Sequence, residues 1–286
     1  MKKLTLIILT IFCLTACSEN TSTEDTTSEK TSDTTEVSQD QPSGEESKAV
    51  NLAEKEEGKT VGEGSWDKLL KKYVSKDGMV DYGGFKKDRE KLEAYLSELS
   101  ENPPAKNWSD DEKMAYWINA YNAFTIQLIL DHEGISSIKD IGPATQVPFV
   151  NTPWDIKFIE IDGEKYDLNN IEHGILRKDF KKDPRFHFAL VCASESCPRL
   201  RNEAYTAKKL DKQLDEEAEY FFNNENKNII SDQEVKISPL FKWYKKDFER
   251  VRPIAEWINK YGDHKVDKKM DSFDYMDYSW KLNGSF

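Results

Sequence analysis

Residues 109–134 read SDDEKMAYWINAYNAFTIQLILDHEG and form the clearest local pattern in the chain. Ser109 and Glu112 have the spacing of a capping box, in which each side chain accepts a hydrogen bond from the other residue's backbone N–H. Apolar side chains then occupy most positions around the helix, and Gly134 supplies a stop signal. The stretch therefore predicts a long central helix, buried over much of its circumference, with other elements packed around it.

The segments on either side of this helix predict shorter helices and strands. Apolar residues at helical spacing predict further helices, and alternating or turn-bounded stretches predict strands. The predicted helices cover 66–73, 85–99, 170–178 and 207–223, with two more starting at Ser238-Pro239 and at Pro253. The predicted strands are a hairpin over 154–168 that turns at Asp162-Gly163, a strand over 186–192, a hairpin over 229–237 and an extended tail over 273–282. The fold class is therefore α+β: helices packed around a small, mostly antiparallel sheet in a single domain.

Composition excludes several classes of protein. The 286 residues include seven Trp, 12 Tyr and 14 Phe, far more aromatic side chains than a disordered chain carries. A mean hydropathy of −0.76 excludes a polytopic membrane protein. The net charge is −12 and no basic stripe is visible, so nucleic acid is not an expected partner.

The N-terminus resembles that of a bacterial lipoprotein. Lys2 and Lys3 precede an apolar run over 4–14, and the sequence Leu-Thr-Ala-Cys ends at Cys17, as in a lipobox. The resemblance implies a signal peptide over 1–16 and attachment of diacylglycerol, with acyl chains such as palmitate, to Cys17. The alternative is an ordinary signal peptide with a chance cysteine. We expect the chain to be lipid-anchored on the extracytoplasmic face of the cell membrane, with that membrane as a partner.

The segment 17–62 reads as the lipidated cysteine followed by a disordered acidic tether. Ser, Thr, Asp, Glu and Gln dominate it, and 12 acidic and four basic residues fall within 18–60. Such a segment cannot bury enough apolar surface to offset its ordering entropy. The predicted globular domain therefore spans 63–286.

Two cysteines remain within this domain, Cys192 and Cys197, with four residues between them. This is not the Cys-x-x-Cys spacing of a redox motif. A disulfide, two structural thiols and a catalytic thiol all stay open. His187, Cys192 and Cys197 match no usual zinc-ligand spacing, so no metal site is predicted, and the sequence indicates no cofactor.

Several polar residues in predicted elements are candidates for chemistry. Asn119 and Asn122 share a face of the central helix, where each amide could orient a substrate, stabilise an anion or clamp a neighbouring backbone. His173 could be a general base tuned by Glu172, or a structural histidine. A straight strand over 186–192 would place His187 and Cys192 on opposite faces, so His173 is the better base for a Cys192 nucleophile.

A set of aromatic residues late in the chain could either fill the core or form a ligand platform. These residues are Trp243, Tyr244, Phe248, Trp257, Tyr275, Tyr278 and Trp280.

Five blocks together resemble the domain-of-unknown-function 547 family, over nearly all of 64–284. They are AYWINAYNA (115–123), LNNIEHGILR (168–177), DPRFHFALVCASESCP (183–198), SPLFKWYKKDF (238–248) and YMDYSWKLN (275–283). The resemblance implies no activity. It implies that polar residues within the blocks are shared positions, and it adds Arg177, Arg185, His187 and Ser194 as binding candidates.

A helix followed by His- and Cys-bearing segments is also loosely similar to transglutaminase-like and papain-like folds. In those enzymes the nucleophilic cysteine starts the central helix, whereas this helix has no cysteine. The likeness is one of fold only.

Three functions remain open, and with them the question of whether the protein is an enzyme. The first is an envelope lipoprotein whose domain binds a ligand or a partner protein. The second is a thiol-dependent hydrolase or acyl transferase with Cys192 as nucleophile, His173 as base, and Glu172, Asn119 and Asn122 in support. The third is a thiol–disulfide protein using Cys192 and Cys197.

Overall fold

The computed structural model describes Val61 and residues 63–286. The predicted signal peptide, the lipidation site at Cys17 and all of the tether except Val61 lie outside the described residues. Within the described part, no helix is both long and apolar enough to cross a membrane.

The described chain folds as an α+β domain. Its α-helices are α1 (Glu63–Tyr73), α2 (Tyr82–Lys87), α3 (Arg89–Glu101), α4 (Asp110–Leu130), α5 (Arg177–Asp179), α6 (Leu210–Phe222), α7 (Leu240–Trp243), α8 (Lys245–Glu249) and α9 (Ile254–Tyr261). A π-helix over Asn170–Leu176 runs directly into α5, and 3₁₀ turns cover Ile138–Asp140, Pro153–Asp155 and Pro184–Phe188. The strands are β1 (Val80–Asp81), β2 (Ile159–Ile161), β3 (Glu164–Tyr166), β4 (Ile229–Ile230), β5 (Val235–Ile237), β6 (Asp274–Tyr275) and β7 (Gly284–Ser285).

The strands form three small sheets in the described residues, where one mostly antiparallel sheet was expected. β2–β3 and β4–β5 are antiparallel hairpins, whereas β1–β7 and β5–β6 are parallel pairs. The parallel pairs join segments far apart in sequence, which local patterns do not reveal. At the first of them the Tyr82 hydroxyl donates to Asn283 Oδ1 at 2.7 Å.

Helix α4 confirms the prediction from 109–134. The Glu112 backbone N–H donates to Ser109 Oγ at 3.2 Å, and the Ser109 N–H donates to the Glu112 carboxylate at 2.6 Å. Nearly every side chain from Met114 to Leu130 is buried. The helix is therefore surrounded by protein and provides the frame on which the rest of the domain packs.

The hairpin predicted at Asp162-Gly163 is also confirmed. Both residues have positive φ, 52° and 74°, as in the two-residue turns whose twist matches that of the flanking strands.

The strand predicted over 186–192 is wrong. Asp183 accepts a hydrogen bond from the Arg185 N–H at 3.2 Å, and Pro184 opens a 3₁₀ turn that ends at Phe188. The Asn122 amide then bonds the Ala189 carbonyl and the Val191 N–H. In a sheet, the Ala189 carbonyl and the Val191 N–H would be hydrogen-bonded by a neighbouring strand. Here the side chain of Asn122 on α4 makes these hydrogen bonds instead.

Asn119 makes the same kind of clamp one turn earlier on α4. Its amide donates to the Tyr205 carbonyl at 2.8 Å and accepts from the Tyr205 N–H at 3.0 Å. Both asparagines are buried, at 1% and 3% exposed. Of the roles left open for Asn119 and Asn122, the structure therefore contains the backbone clamp.

We expect Asn122→Ala to lower the free energy of unfolding by about 3 kcal/mol, because it leaves two buried backbone groups without partners. Urea denaturation measures this loss, and the exposed Asn107→Ala variant is the matched control. A loss below about 1 kcal/mol would show that Asn122 does not hold the 189–191 segment.

Candidate functional site

The described residues enclose a cavity of about 180 Å³ beside the disulfide loop. Its walls come from the π-helix, from the irregular segment 187–198, from α7 and the residue after it, and from the tail around 278–280. Tyr121 of α4 and Trp154 of a 3₁₀ turn complete it. The lining residues that carry chemistry are Glu172, His173, His187, Cys192, Cys197, Tyr244 and Tyr278.

Cys192 and Cys197 form a disulfide in this wall, with their Cα atoms 6.2 Å apart. The Tyr278 hydroxyl donates to Cys197 Sγ at 3.2 Å. Of the alternatives left open by the sequence, the structure contains the disulfide. A Cys192 nucleophile is therefore not present in this structure, because its sulfur is bonded to Cys197.

The π-helix positions two of the predicted site residues, Glu172 and His173. It follows Asp167, whose carboxylate accepts a hydrogen bond from the Asn170 N–H at 2.6 Å. Its wider turn carries Glu172 and His173 into the cavity wall. Short π-helical segments are rare in proteins as a whole, but those that occur are often found at functional sites. The local backbone geometry therefore indicates this stretch as part of a functional site.

An ion pair behind the cavity organises the two histidines. Arg177 Nε donates to Asp247 Oδ2 at 2.6 Å, and His187 Nε2 lies 3.0 Å from the same oxygen. Arg177 also donates to His173 Nδ1 at 2.8 Å. Asp247 therefore joins α8 both to α5, which continues the π-helix, and to the 3₁₀ turn that contains His187. Sequence reasoning did not single out Asp247, although it lies within the block 238–248.

His187 is held as a neutral imidazole. It is 2% exposed, and this burial lowers the pKa of His187 to about 4 despite the neighbouring Asp247. Nε2 carries the proton that is donated to Asp247, and Nδ1 is left as an acceptor. The ring also stacks on Tyr244 with centroids 4.0 Å apart.

His173 does not have the geometry of the predicted general base. Arginine can only donate hydrogen bonds, so His173 Nδ1 is an acceptor and its lone pair is occupied by Arg177. Nε2 then carries the proton in the neutral ring, and burial lowers the pKa of His173. With Cys192 in a disulfide, the predicted Cys192–His173 pair is not assembled here.

Glu172 is 7% exposed and lies against the cavity. The Tyr121 hydroxyl donates to Glu172 Oε2 at 3.4 Å, and the Tyr244 hydroxyl also donates to this carboxylate. His187 Nδ1 lies 4.0 Å from Oε1, beyond hydrogen-bonding distance.

The other predicted site residues lie outside this constellation. Asn119 and Asn122 use their amides for backbone clamps and do not line the cavity, so they do not form the expected oxyanion hole. Arg185 is held by three carboxylates, those of Asp183, Asp211 and Asp215.

Ser194 supports the cavity wall from behind. It is buried, and its hydroxyl donates to the Tyr278 oxygen at 3.0 Å.

The late aromatic set divides into two groups. Trp243, Tyr278 and Trp280 contact one another at the cavity, with centroids 4.6 to 5.9 Å apart, and Trp154 meets Trp280 edge to face. Phe248 and Trp257 pack in a core cluster with α6 and α9. The platform interpretation therefore applies to part of the set and the core interpretation to the rest.

Metal-ligating residues do not converge in the part of the chain that the structure describes: no group of three or more His, Cys, Asp or Glu side chains is placed to hold an ion.

The fold and the site together define an α+β domain with a disulfide-walled, aromatic cavity. Residues 105–222 match the family model described as "Protein of unknown function, DUF547", and this match supports the family resemblance that the sequence blocks indicated. The match includes the blocks at 115–123, 168–177 and 183–198 and ends before the last two. Comparison with curated proteins and with solved structures finds no significant match.

We expect the stability of the domain to fall as the pH is lowered from about 6.5 towards 4. In this range the unfolded chain binds a proton at position 187 and the folded chain does not, because burial lowers the pKa of His187 from its ordinary value of 6.5 to about 4. The difference corresponds to a loss of about 3 kcal/mol across the window.

Urea denaturation at a series of pH values measures this loss. His187→Gln should flatten the curve between pH 6.5 and 4, whereas the surface variant His264→Gln should follow the wild type. Equal slopes for wild type and His187→Gln would contradict the assignment of a neutral buried imidazole.

Proposed function

We propose that the protein is a lipid-anchored extracytoplasmic lipoprotein whose domain binds a small ligand, or the end of a larger one, in the aromatic cavity. The observation that carries the proposal is the composition of the cavity wall. Indole and phenol rings surround one buried carboxylate, an arrangement in which apolar faces supply area and a few polar groups fix orientation.

The mouth of the cavity supports binding. Trp243 is 48% exposed, although it is large and apolar, and it stacks with Trp280 at 25° between ring planes. Exposed indoles that are held by neighbouring rings can cover a ligand without losing much side-chain entropy. The volume of about 180 Å³ fits a small molecule or a single side chain rather than a large cofactor.

The thiol-dependent functions receive less support from the geometry. A hydrolase or acyl transferase needs a free Cys192 thiolate beside a base, but Cys192 is bonded to Cys197, and the Nδ1 lone pair of the predicted base His173 is occupied by Arg177. A thiol–disulfide function keeps one supporting observation, which is that both sulfur-bearing residues line the cavity. It is the second candidate.

The location rests on the sequence alone. The lipobox-like end at Cys17 and the acidic tether through residue 62 would hold the domain near a membrane surface without placing any described helix in it. Envelope ligands and partner proteins are then the molecules within reach.

We expect Trp243→Ala to weaken ligand binding at least tenfold, because the indole contributes a large part of the contact area at the mouth. Saturation-transfer NMR with a set of small amines, alcohols and monosaccharides identifies a binder, and titration of that binder gives the affinity. Trp108→Ala, at a half-buried indole outside the cavity, is the matched control. The proposal fails if no member binds or if both variants bind like the wild type.

We expect Cys17→Ala to release the protein from the membrane fraction of producing bacterial cells and to abolish its labelling by radioactive palmitate. The change removes the thiol that the lipobox resemblance assigns to diacylglycerol. Cys13→Ala, four residues earlier in the predicted signal peptide, is the matched control and should remain membrane-bound and labelled. Labelled, membrane-bound Cys17→Ala protein would contradict the anchoring proposal.

A further inference from the structure

We infer that the cavity selects a ligand carrying a positive charge, an organic ammonium group that lies beside Glu172 and against the aromatic wall. The inference rests on the proposed function, because it names the class of ligand that the same cavity binds. It is carried by a buried carboxylate that has no cationic partner, together with the rings around it.

Glu172 differs from the other buried carboxylates near the site. Asp247 is paired with Arg177 at 2.6 Å, and Glu217 on α6 is paired with Arg199 and Arg201 at 2.8 Å. Among the described residues, no Lys or Arg nitrogen lies within 4 Å of Glu172. Its near neighbours are the Tyr121 and Tyr244 hydroxyls and the His187 ring.

The histidines do not supply the missing charge. His187 is neutral because burial lowers its pKa, and its proton is donated to Asp247 rather than to Glu172. His173 faces the Arg177 guanidinium through an acceptor nitrogen, which also disfavours its protonation. Arg177 itself is balanced by Asp247. Among the described residues, the side chains beside Glu172 therefore supply no cation that pairs with it.

A carboxylate held away from water is costly unless an opposite charge approaches it. In this cavity the approaching cation also meets aromatic side chains, since Tyr121 and Trp154 line the same space. The Tyr244 ring is already stacked with His187 and has the Arg177 guanidinium 5.2 Å from its centroid. Cations are attracted to the faces of Trp and Tyr, and recognition of organic ammonium groups by aromatic cages uses this attraction. The nearby Trp280 ring already has Lys139 Nζ at 4.8 Å from its centroid.

Size points to the same class of ligand. An ammonium head on a short chain fits a cavity of about 180 Å³. An inorganic cation such as Ca²⁺ or Mg²⁺ needs several oxygen ligands, and the described residues contain no group of side chains placed to hold a metal ion. A lysine side chain, a free amine or a quaternary ammonium compound shares the required chemistry.

The test compares ligands of equal shape and different charge on the full chain. Choline and 3,3-dimethylbutan-1-ol differ by a quaternary nitrogen in place of a carbon. In the primary-amine pair, n-butylammonium and butan-1-ol, a hydroxyl group replaces the ammonium group. Isothermal titration calorimetry or ligand-observed NMR gives the affinities. We expect at least one ammonium compound to bind at least tenfold more tightly than its neutral counterpart, and the pair that shows the preference identifies the head group.

Glu172→Gln keeps the shape of the side chain and removes its charge. It should abolish the preference for the ammonium compound and leave binding of the neutral counterpart within about twofold. Glu164→Gln, an exposed position on β3, is the matched control. The wild-type comparison stands by itself if Glu172→Gln does not fold.

Equal affinity for the charged and neutral members of both pairs overturns the inference, as does a preference that survives Glu172→Gln. Binding of neutral ligands that depends on Trp243 but not on charge would leave the proposed function standing and reject this inference alone. Absence of binding by every amine, alcohol and monosaccharide in the set would reject the proposed function and the inference with it.

Discussion

The buried polar backbone of the segment 183–206 is the constraint on which the rest of the structure depends. This largely buried segment contains one 3₁₀ turn and no strand, and its only bridge among the described residues pairs Ser194 with Leu282, so most of its N–H and C=O groups need partners outside a sheet. Helix α4 supplies several of them through the amides of Asn119 and Asn122, each of which offers a donor and an acceptor at fixed spacing. These amides hydrogen-bond the backbone of residues 189, 191 and 205 in the place of a neighbouring strand.

The cavity is a consequence of that arrangement. Residues 187–198 are held against α4 by their backbone, which frees His187, Cys192 and Cys197 to face a common space. The Arg177–Asp247 ion pair then separates the charges of the site into two parts. Behind the wall, guanidinium and carboxylate neutralise each other, while at the wall Glu172 is accompanied only by phenols and a neutral imidazole. The Arg177 guanidinium is thus paired with Asp247 behind the wall and not with Glu172 at the cavity.

Local patterns predicted the parts of the fold that local physics determines. The capping box at Ser109, the Asp162-Gly163 turn and the apolar face of α6 are written in neighbouring residues and are present in the structure. The strand over 186–192 failed because Pro184 and the distant Asn122 override its strand-like pattern. Asp247 escaped notice because its partners lie 60 and 70 residues away in sequence. A local periodic pattern cannot reveal contacts over such separations. The family resemblance places Arg177, His187 and Asp247 in three different blocks but does not indicate that they contact one another.

The parallel pairing of β1 with β7 joins the beginning of the domain to residues 284 and 285. Tyr82 and Asn283, hydrogen-bonded across this junction, are 201 residues apart. Val80 already forms an isolated antiparallel bridge with the nearby Val74, whereas its pairing with β7 becomes possible only when almost the whole domain has been synthesised, so the entropy cost of this long-range closure comes late.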